Sequence, residues 1–88
     1  MIRRRVRVSG EVQGVFFRDT CRREAQRREV VGWVANRDDG SVEAIFQGSP
    51  EAVDAMVEWC RHGPRHAVVE GVEVSEESTT DESGFSIV

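Results

Sequence analysis

The stretch "VVGWVANRDDGSVEAIFQG", residues 30–48, predicts a β-hairpin. Its two apolar segments, 30–36 and 41–48, have the composition of strands, and in the second of them alternate apolar residues share one face. The "RDDG" between the segments ends in Asp-Gly, a pair that favours a tight connection between antiparallel strands. These residues therefore predict two consecutive antiparallel strands.

An amphipathic helix is predicted directly after the hairpin. Ser49 suits the N-cap position and Pro50 the first helical position, while Gly63 and Pro64 end the helix. Apolar residues then recur at helical spacing and predict a wide buried face. They are Ala52, Val53, Met56, Val57, Trp59 and Cys60.

A strand and a second helix are predicted before the hairpin. Residues 2–10 alternate, with Val6 and Val8 on one face, which indicates a half-buried strand ending at Gly10. Residues 17–29 place three apolar side chains four residues apart, which predicts a helix with a narrow apolar stripe. The stripe consists of Phe17, Cys21 and Ala25.

Two further strands complete the prediction, over 67–75 and, at a sheet edge, over 84–88. The order β-α-β-β-α-β, plus a short C-terminal strand, is typical of the α+β class. It predicts a ferredoxin-like split βαβ sandwich, with two helices on one face of a mostly antiparallel sheet. At 88 residues we expect a single domain spanning 1–88.

Charge is unevenly distributed along the chain. All twelve basic residues are arginine, and residues 1–37 hold ten of them against four acidic residues, a net charge of +6. Residues 38–88 hold two against twelve acidic residues, a net charge of −10, so the chain carries −4 overall. A basic first half is compatible with nucleic-acid binding. The negative net charge of the whole chain instead favours a fold in which the basic first half and the acidic second half neutralise each other.

The sequence predicts a cytoplasmic protein with no membrane association. No apolar run approaches the roughly 18 residues of a membrane span, and no apolar signal-peptide segment follows the basic N-terminus. We expect Cys21 and Cys60 to be free buried thiols at the same end of the helical layer; a disulfide between them is the alternative. A metal site at Cys60, His62 and His66 is disfavoured, because Gly63-Pro64 breaks the helix between the histidines.

The segment from Gly10 to Phe16 predicts an anion-binding loop. It leads into a helix N-terminus, where backbone N–H groups are unpaired and the helix dipole favours negative charge. Gly14 permits close approach of an anion and a positive φ, and Arg18 in the first helical turn offers a guanidinium fork to phosphate oxygens. The alternative is a tight turn followed by a solvated helix arginine.

Two segments resemble the signatures of the acylphosphatase family. Val8–Arg18, "VSGEVQGVFFR", resembles the first signature, and Gly32–Gly48, "GWVANRDDGSVEAIFQG", resembles the second. The resemblance covers the whole chain and agrees with the predicted fold. It implies hydrolysis of the carboxyl–phosphate bond of small acyl phosphates to carboxylate and inorganic phosphate, without metal or cofactor. Ala35 and Val88 depart from the family pattern, where basic residues are common.

The resemblance also implies roles for individual residues. Arg18 binds the phosphate together with backbone amides of the loop, and Asn36 orients the attacking water. The loop residues are Glu11, Val12, Gln13, Gly14, Val15 and Phe16. Without the resemblance, the favoured interpretation of Asn36 is a residue that starts the hairpin turn. Asp19 is interpreted as an acidic residue in the first turn of the helix and not as a general base.

Two other functions share this topology. One is a binding module that holds an acyl or carbamoyl phosphate inside a larger maturation assembly; a chain ending at residue 88 favours the free enzyme. The other is an RNA-binding sheet, which needs aromatic residues on its open face. The predicted open face instead carries Arg5, Arg7, Glu43, Ile45 and Gln47. We therefore expect a monomer that binds a small acyl phosphate and no nucleic acid.

Overall fold

The computed structural model describes residues 1–88 and contains five strands and two helices. In chain order they are β1 (Ile2–Glu11), α1 (Phe17–Arg27), β2 (Val31–Asn36), β3 (Val42–Gly48), α2 (Pro50–Cys60), β4 (Val68–Glu77) and β5 (Phe85–Ile87). The strands form one sheet in the order β4-β1-β3-β2-β5. Only β5 runs parallel to its neighbour, β2. The predicted ferredoxin-like split βαβ sandwich, with its short C-terminal strand at the edge, is confirmed.

Several predicted boundaries differ from the structure by one or two residues, and three of these have a clear cause. β1 continues to Glu11, because a register shift after Ser9 allows the strand to keep pairing with β4. β4 itself continues to Glu77 along β1. α1 ends at Arg27 and not at residue 29, because Glu29 adopts a left-handed φ of 57°. The N–H of Val30 then donates to a carbonyl of the last helical turn, which closes the helix end.

The core lies between the helices and one face of the sheet. The predicted stripe of α1 is buried, as are Val53, Met56 and Cys60 of α2. The two helices meet where the rings of Phe17 and Trp59 lie 5.1 Å apart between centroids. The start of α1 and the end of α2 therefore share one end of the helical layer, as the antiparallel arrangement predicts.

Both cysteines are free and fully buried in this core. Burial raises the pKa of the Cys60 thiol to about 12. Burial also raises the pKa of the Cys21 thiol well above its usual value, and the neighbouring Cys60 adds to the increase. The expectation of two buried thiols is confirmed, and no disulfide joins them.

The opposite face of the sheet is less open than the sequence predicts. Ile45 is fully buried, because its strand neighbours Arg5 and Trp33 flank it and the Arg5 guanidinium lies 5.9 Å from the Trp33 ring. Gln47 is 2% exposed, because the segment after β4 folds back and Thr80 exchanges hydrogen bonds with its side-chain amide. The prediction that Ile45 and Gln47 are exposed on an open face is wrong.

Arginine–carboxylate pairs neutralise the remainder of that face. Glu43 accepts hydrogen bonds from Arg5 at 2.7 Å and Arg37 at 2.7 Å, and Arg7 pairs with Asp39. Burial raises the pKa of the Glu43 carboxyl, but the two guanidinium groups outweigh it and hold the pKa below its ordinary value. The basic first half of the chain and the acidic second half thus meet across the sheet.

Candidate active site

A cavity of about 340 Å³ opens where the β1–α1 loop, the end of β2 and β5 come together. Strand β1 leads into the loop, and β5 reaches the cavity because it pairs beside β2. Eight residues line the cavity. They are Val12, Gly14, Phe16, Phe17, Arg18, Asp19, Asn36 and Ile87.

The loop between β1 and α1 presents free backbone donors. No N–H group from Val12 to Phe16 donates a hydrogen bond within the protein. Gly14 (φ 75°) and Phe16 (φ 64°) both adopt left-handed conformations, and Phe16 caps α1 without a side-chain hydrogen bond. An array of unpaired N–H groups at a helix N-terminus is suited to binding an anion.

Gln13 fixes this loop in place from its outer side. Its Nε2 donates to the carbonyl of Arg37 at 2.8 Å and to the carbonyl of Ser41 at 2.9 Å. Both acceptors belong to the β2–β3 hairpin turn, so one side chain ties the loop to the hairpin that carries Asn36. Gln13 therefore positions two parts of the cavity relative to each other.

Arg18 is the cationic side chain of the cavity, and it has no carboxylate partner. Ten of the twelve arginines form salt bridges, and only Arg18 and Arg65 do not. Arg18 is exposed in the first turn of α1, beside the free N–H groups of the loop. An unpaired guanidinium next to free amides can bind phosphate oxygens through charge-assisted hydrogen bonds.

Asn36 contributes a buried polar atom that the protein leaves unsatisfied. It is the last residue of β2, and its side-chain Oδ1 is the one buried side-chain N or O atom without a hydrogen-bond partner. Buried polar atoms are normally paired, so such an exception indicates a ligand or a water as the missing partner. Asn36 lines the same cavity as Arg18.

Three lining residues lie outside the site that the sequence predicts: Phe17, Asp19 and Ile87. Asp19 borders the cavity, but its carboxylate pairs with Arg22 at 2.9 Å and with Arg23 at 3.1 Å. Ile87 forms part of the wall because β5 pairs in parallel with β2, opposite Val34. Phe17 and Asp19 flank Arg18 in the sequence, whereas no local pattern signals the contact of Ile87, which depends on how distant elements pack.

Several predicted residues do not line the cavity. Glu11 belongs to β1, and the side chains of Gln13 and Val15 lie away from the cavity lining, so only their backbone groups could reach an anion. His62 and His66 are exposed while Cys60 is buried. No group of three or more His, Cys, Asp or Glu side chains is placed to hold a metal ion. Neither helix is long and apolar enough to cross a membrane.

Comparison with known proteins identifies the family. The family model for acylphosphatase matches residues 4–87. The chain belongs to the acylphosphatase family. An acylphosphatase of Rubrobacter xylanophilus is 57% identical over 84 residues, which cover 94% of this chain and 76% of the relative. An acylphosphatase of Roseiflexus sp. is 52% identical, with coverage of 100% and 96%.

Solved structures agree with this assignment. The crystal structure of acylphosphatase from Bacillus subtilis superposes with a TM-score of 0.96 at 40% identity, covering 100% of this chain and 99% of that one. The chain is therefore an acylphosphatase, a hydrolase that cleaves the carboxyl–phosphate bond of small acyl phosphates. The activity implied by the two sequence signatures is confirmed.

Proposed function

We propose that Arg18 and the amides of the loop over residues 11–16 bind the phosphate group, and that Asn36 orients the attacking water. The observation that carries this proposal is the unsatisfied buried Oδ1 of Asn36, which lines the same cavity as the unpaired guanidinium of Arg18. The free N–H groups of the loop supply further donors for phosphate oxygens. The cavity thus offers separate positions for the phosphate and for a water.

The chemistry needs little more than positioning and electrostatic stabilisation. An acyl phosphate already carries a good leaving group, and water attacks phosphorus roughly in line with the departing carboxylate. An O–H of that water donates a hydrogen bond to the Oδ1 of Asn36. Arg18 stabilises the negative charge on the equatorial oxygens of the phosphoryl group. The phosphorus–carboxylate bond breaks, and the substrate's own oxygens take up the proton of the water.

Asp19 is not assigned as a general base in this proposal. Its two arginine partners stabilise the carboxylate as an acidic group of the first helical turn. The amide of Asn36 has no basic group to accept the proton. Substrate-assisted proton transfer therefore accounts for turnover without an ionisable catalytic residue.

We further propose that residues 1–88 act as one catalytic unit, monomeric and cytoplasmic, without a nucleic-acid partner. Free buried thiols are typical of a reducing compartment. The salt bridges of the sheet face neutralise the arginines that a nucleic acid would contact. Light scattering tests whether the protein is a monomer. Filter binding at low salt tests whether it binds nucleic acid.

A phosphate-release assay tests the assignment of Arg18. Wild type, Arg18→Ala and Arg65→Ala are compared with acetyl phosphate in the presence of EDTA. Arg65 is the matched control, because it is also exposed and without a carboxylate partner but does not line the cavity. Loss of charge-assisted hydrogen bonds worth about 1.5–3 kcal/mol, plus transition-state stabilisation, predicts a fall of about 10²-fold or more in kcat/KM.

The control variant should keep wild-type kcat/KM. Equal kcat/KM in Arg18→Ala and wild type would remove Arg18 from the site. Equal losses in Arg18→Ala and Arg65→Ala would indicate a general effect of charge and would contradict a specific phosphate contact. Activity that depends on a metal would appear as inhibition of the wild type by EDTA.

A further inference from the structure

We propose that Phe16 determines acyl-group specificity, with its ring forming an apolar subsite that favours aromatic acyl phosphates over acetyl phosphate. The proposal deepens the function proposed above, because it rests on the phosphate lying against Arg18 and the loop amides. It assigns the other half of the substrate, the acyl group, to a named side chain at the mouth of the cavity.

The Phe16 ring has no structural role that accounts for its position. It is 76% exposed, whereas the other apolar residues of the loop and helix start that line the cavity, Val12 and Phe17, are 1% and 2% exposed. The two aromatic contacts in the protein pair Phe17 with Trp59 and Phe46 with Phe85, and neither includes Phe16. Ligand pockets are lined largely by apolar and aromatic side chains, so an exposed ring that borders this cavity is available to contact the substrate.

The backbone of Phe16 is also unusual for a bulky residue. Its φ of 64° lies in the left-handed region, which aromatic side chains rarely adopt, and glycine would be the unstrained choice. Strained conformations of this kind concentrate at functional sites, where the side chain is required despite the backbone cost. The loop has two left-handed positions, 14 and 16. Glycine occupies the first, whereas the second carries the aromatic residue Phe16.

The direction of the reaction places the acyl group on the open side of the cavity. In an in-line displacement the leaving carboxylate departs opposite the attacking water. Because we assign the buried Oδ1 of Asn36 to the attacking water, the acyl group would lie on the opposite side of the phosphorus, toward the more exposed part of the cavity lining. Phe16 is the mostly exposed apolar side chain of the lining, and the half-buried Ile87 adds a second apolar surface.

Substrate discrimination by Phe16 variants tests the proposal. The kcat/KM for benzoyl phosphate and for acetyl phosphate is measured for wild type, Phe16→Ala and Phe16→Leu, with Val74→Ala as control. Val74 is 42% exposed on β4 and does not line this cavity. We expect the benzoyl-to-acetyl ratio to fall about tenfold in Phe16→Ala, which corresponds to about 1.4 kcal/mol, and to fall less in Phe16→Leu.

Inhibition by inorganic phosphate separates the acyl subsite from the phosphate site. Phosphate has no acyl group, so its inhibition constant should be similar in wild type and in both Phe16 variants. An unchanged benzoyl-to-acetyl ratio of kcat/KM in Phe16→Ala overturns the proposal. A fall in that ratio that is accompanied by loss of phosphate inhibition also overturns it, because the substitution would then have disturbed the phosphate site. The Arg18→Ala and Arg65→Ala variants test the phosphate site separately: equal kcat/KM in Arg18→Ala and wild type would contradict the proposed phosphate contact, whatever the benzoyl-to-acetyl ratio of the Phe16 variants.

Discussion

Asn36→Ala should lower catalysis and raise stability at the same time. In the folded protein the Oδ1 of Asn36 is buried and has no hydrogen-bond partner within the protein, so while no water or ligand is bound beside it the protein bears a desolvation cost that the unfolded chain does not. A buried unsatisfied polar group costs about 1–3 kcal/mol. Alanine removes the group together with its cost, and it also removes the acceptor that we assign to the attacking water.

The expected magnitudes follow from that single atom. Part of the relief is offset by lost side-chain packing, so we expect a net gain of about 1 kcal/mol in the free energy of unfolding. In a domain of this size a gain of about 1 kcal/mol raises the melting temperature by about 4–8 °C. Loss of one preorganised hydrogen-bonding group at a reacting centre lowers kcat by about 10²–10³-fold.

The assay combines thermal unfolding, steady-state kinetics and inhibition by inorganic phosphate. KM and the phosphate inhibition constant should change little, because Asn36 contacts water and not the substrate charge. Gln13→Ala is the contrasting variant: it removes two satisfied hydrogen bonds and should lower the melting temperature. An Asn36→Ala protein that melts several degrees lower and keeps its kcat would make Asn36 a turn residue and refute the reasoning.

Other outcomes follow from the charges and burial described above. Arg18→Lys should regain less than about tenfold of the activity lost in Arg18→Ala, because lysine lacks the guanidinium fork; kcat/KM measures this. Asp19→Asn should keep kcat within about tenfold, whereas loss of a general base costs about 10²–10⁴-fold. The Glu43 carboxyl has a lowered pKa, so its stabilisation is present above pH 4.5 and is lost as pH falls through its folded value. The stability difference between wild type and Glu43→Gln in urea titrations should therefore shrink below pH 4.5. A thiol reagent at pH 8 should label Cys21 and Cys60 only on unfolding, and rapid labelling of the native protein would contradict their burial.

The sequence predicts the element order and the loop with Arg18 because local patterns carry them. The hairpin, the capped α2 and the stripe of α1 each depend on residues close together in the chain, and each is confirmed. The loop and Arg18 are adjacent to one another in sequence. Asn36 is recognisable only through the family resemblance, because an asparagine before a turn is ordinary on local grounds.

The features that the sequence does not predict depend on contacts between distant segments. Arg3 is nearly buried because Gln47, Thr80 and Glu82 converge on its guanidinium from two other parts of the chain. The polar composition around Thr80 indicates an exposed loop, and nothing local shows that this loop covers Gln47. Ile87 likewise reaches the cavity only through the pairing of β5 with β2. The burial of Arg3 and Gln47 and the cavity contact of Ile87 thus depend on long-range packing, which the periodicity of the sequence does not predict.

The composition of the cavity from three separate segments has a consequence for folding kinetics. The β1–α1 loop, the end of β2 and β5 lie far apart along the chain, so the cavity closes only after long loops have lost their conformational entropy. An intermediate with the hairpin and both helices formed but β5 undocked lacks the wall at Ile87. Recovery of enzymatic activity during refolding therefore requires all three segments to dock, and it should not precede recovery of helical circular dichroism.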